Sequence, residues 1–188
     1  MIATSALVVL VSVAAPSPED AGSVETTSSP TRALRVGGSG GIDVALQDFG
    51  GAAVGSGGAN VALQLKRFEA GLEVGGVAFG PLGPDTSWGL DGVETTAFVG
   101  YRAPLDDVVF MPLRARGGIL AVTSDPSAAD LAVVLGLGLG LGFHVASALD
   151  VEWTFFNFDA YFWSNEFGGL EASLAAGMGL RLTYGFPL

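Results

Sequence analysis

Twelve charged side chains are the candidates for chemistry in this chain: Arg35, Asp43, Glu69, Glu73, Glu94, Arg102, Arg114, Arg116, Asp150, Glu152, Glu171 and Arg181. Glu69 and Glu73 are four residues apart and Arg114 and Arg116 two apart, so on an extended strand each pair lies on one face. If that face is buried, like charges enter a space that cannot solvate them. Opposite charges must then answer them, because an unpaired buried charge costs several kcal/mol. The chemistry implied is ion pairing, not turnover. We expect Glu69, Glu73, Glu94, Arg102, Arg114, Arg116, Glu152, Glu171 and Arg181 to form a connected interior charge network.

His144 is the one histidine. A hydrolytic triad needs a nucleophile on the same face and a carboxylate behind the imidazole. Ser147, three positions on, falls on the opposite face of an unbroken strand. The sequence has no GxSxG, P-loop or HExxH and no cluster with metal-ligand spacing. It has no cysteine either, which removes disulfides, thiolate metal sites and thiol nucleophiles. No catalytic residue, metal or cofactor is therefore assigned.

The elements that would position these charges are strands, because from Arg32 onward the pattern has period two. Leu34, Val36, Ile42 and Val44 alternate with Arg35, Ser39 and Asp43. Val61, Leu63 and Leu65 are followed, after a change of phase across Lys66-Arg67, by Phe68, Ala70, Leu72 and Val74, which marks a tight turn. Val93 to Tyr101 and Val109 to Ala115 continue the series. Pro112 in the latter predicts a bulge or a later strand start, since a closed sheet has no edge to excuse a missing N–H. Leu131 to Leu149 carries no Asp, Glu, Lys or Arg, yet Leu135, Leu137, Leu139, Leu141 and Phe143 alternate without a break with four glycines. A helix would scatter those leucines and lose roughly 1 kcal/mol per interior glycine, so the segment reads as a strand. A seventh follows from Leu149 and an eighth from Leu170 to Phe186. The connections between them, Gln47 to Gly57, Gly80 to Gly92, Thr123 to Ala129 and Ser164 to Gly169, alternate with shorter ones, as in a barrel with long loops at one rim and tight turns at the other.

Composition says which face is outside. The chain has 188 residues, 29 glycines, 49% hydrophobic and 14% charged residues and a net charge of −11, with a mean hydropathy of +0.52. It is too apolar for a disordered acidic tail and lacks the basic stripe that nucleic acid requires. A soluble, lipocalin-like barrel binding a small apolar ligand would need a charged, lysine-rich exterior. Here the polar face is mostly Gly, Ser and Thr with a few charges, and the apolar face is dense in Leu, Val and aromatics. That predicts a lipid-facing exterior around a narrow interior filled by side chains. Aromatics from Trp153 to Trp163 are expected at one rim and Tyr184 with Phe186 at the other.

Upstream, Ile2 to Ala15 are uncharged and mostly apolar, with small residues at Ser12-Val13-Ala14, so residues 1–14 read as a signal peptide. Residues 15–31, rich in Ser, Thr, Pro and Glu, read as a flexible leader, and 32–188 as the barrel.

From Arg32 to Phe186 the chain resembles the small eight-stranded outer-membrane β-barrels related to the membrane domain of outer-membrane protein A and to outer-membrane protein X. The most specific element is the last strand, where Met178, Leu180, Leu182, Tyr184 and Phe186 match the family's assembly signal, although Pro187-Leu188 follow the aromatic. The resemblance implies an eight-stranded antiparallel up-and-down transmembrane barrel with an apolar exterior and a polar, glycine-rich interior. It also implies outer-membrane lipid and, through the last strand, the barrel-assembly machinery as partners. The function expected is structural or surface-interacting, in the outer membrane of a Gram-negative-type bacterium, with at most a narrow, gateable conductance. A lipid-modifying barrel enzyme is the alternative from another class.

Overall fold

The computed structural model describes residues 32–45, 52–81, 91–122, 131–164 and 170–188. The expected signal peptide and leader, and most of the four longer connections, lie outside the described residues. Eight strands follow one another: β1 (Arg32–Ala45), β2 (Ala52–Leu65), β3 (Phe68–Pro81), β4 (Gly92–Pro104), β5 (Val109–Val122), β6 (Leu131–His144), β7 (Leu149–Ser164) and β8 (Leu170–Pro187). They close into one barrel in chain order. The last strand returns antiparallel to the first, with Leu34 opposite Phe186 and Val36 opposite Tyr184. No helix occurs among the described residues.

The three tight turns lie at one end. Lys66-Arg67 joins β2 to β3, with Lys66 at φ 56°. In the β4–β5 turn, the Asp106 carboxylate accepts the backbone N–H groups of Val108 and Val109 at 2.7 and 2.6 Å, the local bonding that suits Asp to turns.

Two expectations about the strands change, and one irregularity is new. Residues 52–57, assigned to the first long connection, belong to β2, because Gly55, Gly57 and Gly58 carry no side chains with which to mark a face. Pro112 makes no bulge. Its register to β4 runs on through Arg102, and the ladder to β6 keeps its register across Met111-Pro112 while no pairing forms there, so the missing N–H falls where the ladder is open. The bulge is in β7, where the register shifts between Thr154 and Asn157. Phe155 and Phe156 both face outward there, 42% and 51% exposed, and the inward phase passes from Asp150, Glu152 and Thr154 to Asn157, Asp159 and Tyr161.

Burial alternates as the pleat requires. On β4, Glu94, Thr96, Phe98, Gly100 and Arg102 are buried, and Val93, Thr95, Ala97 and Val99 are exposed. Among the described residues, the outward positions between Leu34 and Phe186 carry no Asp, Glu, Lys or Arg. Exposed charges are confined to the ends: Arg32, Lys66, Arg67, Asp106 and Asp107 at the tight-turn end and Glu171 at the other.

Aromatic placement also differs from expectation. Trp153 lies opposite Leu180, nearer the tight turns than the far rim. Trp163 turns inward and packs on a buried cluster formed by Val54, Val77, Leu120, Val134, Tyr161 and Ala175. That cluster adds an apolar storey to the polar interior, at the end carrying the long connections. Its valines and leucine fall on inward positions of β2, β3, β5 and β6, near strand ends that a two-residue period does not mark sharply.

Candidate functional site

The inward charges form storeys stacked along the barrel axis. Nearest the tight turns, Asp150 on β7 receives the guanidiniums of Arg35 from β1 and Arg102 from β4. Gln64 on β2 accepts from both arginines, at 2.8 Å from Arg35 and 3.2 Å from Arg102, and Thr183 on β8 accepts from Arg35 at 2.9 Å. The Arg102 guanidinium lies 3.7 Å over the Phe110 ring, where the ring quadrupole attracts it. Side chains from seven strands meet at this mouth once His144 of β6 is included, its Nδ1 2.7 Å from Asp150 Oδ1 and its ring 4.9 Å from that of Phe110.

The middle storey joins Arg114 to Glu69 and Glu152, with Arg102 3.7 Å from Glu152 and so linking it to the storey below. Arg181 meets Glu73 at 2.5 Å, and Ser39 donates to the same carboxylate at 2.5 Å. Arg181 also lies 4.8 Å from the Phe98 ring centroid.

In the upper storey Arg116 grips Asp159 with two parallel bonds, 2.9 Å from Nε and 2.5 Å from Nη2, and reaches Glu94 at 3.1 Å. This fork geometry is the strong form of the pair. Asn157 donates to Asp159 at 2.7 Å and to Asp43 at 3.1 Å. The apolar storey lies above.

Eight of the nine residues expected in the network are brought together in these storeys, with Arg35, Asp43 and Asp150. Glu171 is not. It lies exposed at the far rim, where it accepts the Trp163 indole N–H at 3.0 Å, because β8 extends past the strand ends that would cover it. Asp159 belongs at the centre of the upper storey, is fully buried, and was missing from the expectation. The signal for it was the consecutive outward pair Phe155-Phe156, which shifts the phase of everything after it.

Glycine makes room for the bridges. Gly136 on β6 lies opposite Arg116 on one side and Asp159 on the other, and a Cβ there would sit 2.1 Å from Asp159 Oδ1 and 2.7 Å from Arg116 Nε. Gly138, the next inward residue, has its nearest such contact at 3.6 Å. Gly136→Ala is therefore expected to cost about 1–3 kcal/mol, as overpacking does, and Gly138→Ala to stay within about 0.5 kcal/mol. Urea unfolding of the two variants in micelles checks the difference.

A cavity of about 90 Å³ remains between the middle and upper storeys, lined by Ser39, Asp43, Ser56, Glu73, Arg114 and Asn157 among others. That is room for a few waters and far below the roughly 300 Å³ at which small-molecule pockets begin. Among the described residues no group of His, Cys, Asp or Glu has the arrangement of a metal site, and none donates a hydroxyl to His144. Side chains occupy most of the lumen, and its charges are paired across the strands.

A closed eight-stranded antiparallel barrel of this kind is the fold of the small outer-membrane barrels. The chain is similar to Neisserial surface protein A (NspA), with a TM-score of 0.57 and 10% identity over 83% of this chain and 97% of that one. It is also similar to the N-terminal β-barrel domain of Pseudomonas aeruginosa OprF, with a TM-score of 0.51 and 12% identity over 82% of this chain and 98% of that one. Both are eight-stranded outer-membrane β-barrels. No protein-family model and no curated protein sequence matches the chain.

Proposed function

We propose that this protein is a small, non-enzymatic outer-membrane barrel with a structural or surface-interaction role, its lumen plugged by the ion-paired storeys. The observation that carries this reading is the segregation of charge. Five arginines and seven carboxylates line the interior, while among the described residues the outward positions of the eight strands, mostly Leu, Val, Ala and aromatics, carry no charge away from the barrel ends. Leu72, Val99, Leu137 and Leu180 are each 55–61% exposed, a surface that suits hydrocarbon and not water. A soluble barrel binding an apolar ligand needs the reverse arrangement.

Export through residues 1–14 and recognition of Met178, Leu180, Leu182, Tyr184 and Phe186 by the barrel-assembly machinery complete the reading. These five side chains form one outward row, 41–58% exposed. The lipid-modifying enzyme would have to use His144 and Asp150, but the imidazole is packed on Phe110 and its Asp150 partner is already engaged by two arginines.

Refolding into detergent micelles tests the reading. The expected result is a strand-dominated circular dichroism spectrum, a different gel mobility before and after heating, and no large steady conductance in planar bilayers. A helical spectrum would overturn the architecture, and a large steady conductance would overturn the plugged lumen.

A further inference from the structure

The chain has only eight Lys and Arg residues against 19 Asp and Glu. Five of the eight, Arg35, Arg102, Arg114, Arg116 and Arg181, are consumed by the interior ion pairs. The other three, Arg32, Lys66 and Arg67, are all exposed and all in one place. Arg32 pairs with Leu65 across the β1–β2 ladder, and Lys66 and Arg67 are the two residues that follow. None of the three has a side-chain hydrogen bond or ion pair among the described residues.

Their backbone is held. The Arg67 carbonyl accepts from Arg102 N–H at 2.7 Å and the Arg32 carbonyl from Leu188 N–H at 3.1 Å. Next to them the outward face ends in Leu65 and Phe68, 48% and 64% exposed, with Phe68 5.1 Å from the Tyr101 ring. The turn itself holds one of the cations in an uncommon backbone conformation. Lys66 is the only non-glycine with positive φ among the described residues, at 56°, a conformation that glycine takes without penalty. A chain with 29 glycines places a lysine there instead. The connections at the opposite end contain Asp48, Asp85, Asp91, Asp125, Asp130 and Glu166 and no Lys or Arg.

We propose that Arg32, Lys66 and Arg67, with Phe68 and Tyr101 beneath them, form a binding surface for the headgroup phosphates of anionic phospholipid in the leaflet at the tight-turn end. The inference rests on the membrane reading above. Lys and Arg at the margin of an apolar face extend their stems along it and place their charges among the headgroups, while aromatic rings prefer the same interfacial depth. A protein of net charge −11 is otherwise repelled by an anionic surface, so this patch is where such lipid can approach it. The attraction is about fivefold in partition for each engaged cation at low salt and is screened beyond about 10 Å at 0.1 M salt.

The test uses the full chain refolded into phosphatidylcholine bilayers containing a trace of spin-labelled phosphatidylglycerol or spin-labelled phosphatidylcholine. The fraction of each label immobilised by the protein gives their relative affinity. The expected result is a severalfold preference for phosphatidylglycerol that falls with salt and disappears in the triple variant Arg32→Gln, Lys66→Gly, Arg67→Gln. Lys66→Gly alone relieves the backbone, so it should retain the heat-dependent gel shift while losing part of the preference, which separates binding from folding. Asp106→Asn with Asp107→Asn, at the neighbouring turn, should leave the preference in place or raise it. Equal affinity for the two lipids, or an unchanged preference in the triple variant, overturns this inference alone and leaves the patch to a soluble acidic partner. A folded barrel that immobilises neither lipid overturns the membrane reading and the inference with it.

Discussion

Arg116→Met is expected to lower the stability of the refolded barrel by about 3–5 kcal/mol, the range for removing one partner of a buried pair. Arg116 answers two carboxylates, Asp159 and Glu94, and Asp159 is fully buried. Methionine keeps the length of the stem but leaves both acids without a cation, in a storey where Asp43 already relies on the Asn157 amide. The loss is a penalty on the orphaned acids, so Asp159→Asn in the same molecule should return part of it. A double-mutant cycle by urea unfolding in micelles reads that coupling, which for contacting residues runs to about 0.5–3 kcal/mol. Strictly additive losses would mean that the fork between Arg116 and Asp159 contributes nothing to the closed lumen.

Leu180→Arg is the second large effect, expected at about 2–4 kcal/mol when the substituted residue sits near the bilayer midplane. Leu180 is 58% exposed and lies well inside β8, away from both of its ends, opposite Gly40 on β1 and Trp153 on β7. Among the described residues no outward carboxylate lies away from the barrel ends, so none is near enough to pair with an introduced guanidinium. Leu135→Arg, 52% exposed on β6, should behave alike. The reference is Leu65→Arg, at the rim beside Arg32 and Lys66, where the cost falls to about 0–1 kcal/mol. Unfolding free energies of the three variants in lipid vesicles decide the matter, and equal costs at rim and midplane would argue that the outward face does not meet hydrocarbon.

How much of this was legible in advance differs between elements for physical reasons. Strand β6 was readable because Leu-Gly alternation from Leu135 to Gly142 is compatible with one backbone period only, and the structure has a strand over Leu131–His144. The turn at Lys66-Arg67 was readable because a change of phase must fall between two strands that pair at that point. The start of β2 was not, since glycine carries no side chain with which to mark a face. The β7 bulge was visible only as two adjacent aromatics, and without it Asp159 could not be assigned to the interior.

By itself the sequence determined the two faces of most strand segments and the chemical character of each face, the glycine-rich start of β2 and β7 beyond its bulge excepted, because alternation is a property of the backbone period and needs no partner. It also determined that charge of both signs shares the inner face, and hence that pairing must occur. What only the tertiary structure decided is which acid answers which base. Arg102 and Asp150 are far apart in the chain, and they meet because barrel closure and strand stagger bring β1, β4 and β7 to the same height at the tight-turn mouth. Pair identity depends on register and shear summed around eight strands, and a single bulge in β7 changes that sum. The placing of Glu171 outside the network and Asp159 inside it, the apolar storey above Arg116, and the gathering of the three remaining cations at one rim are all consequences of that closure.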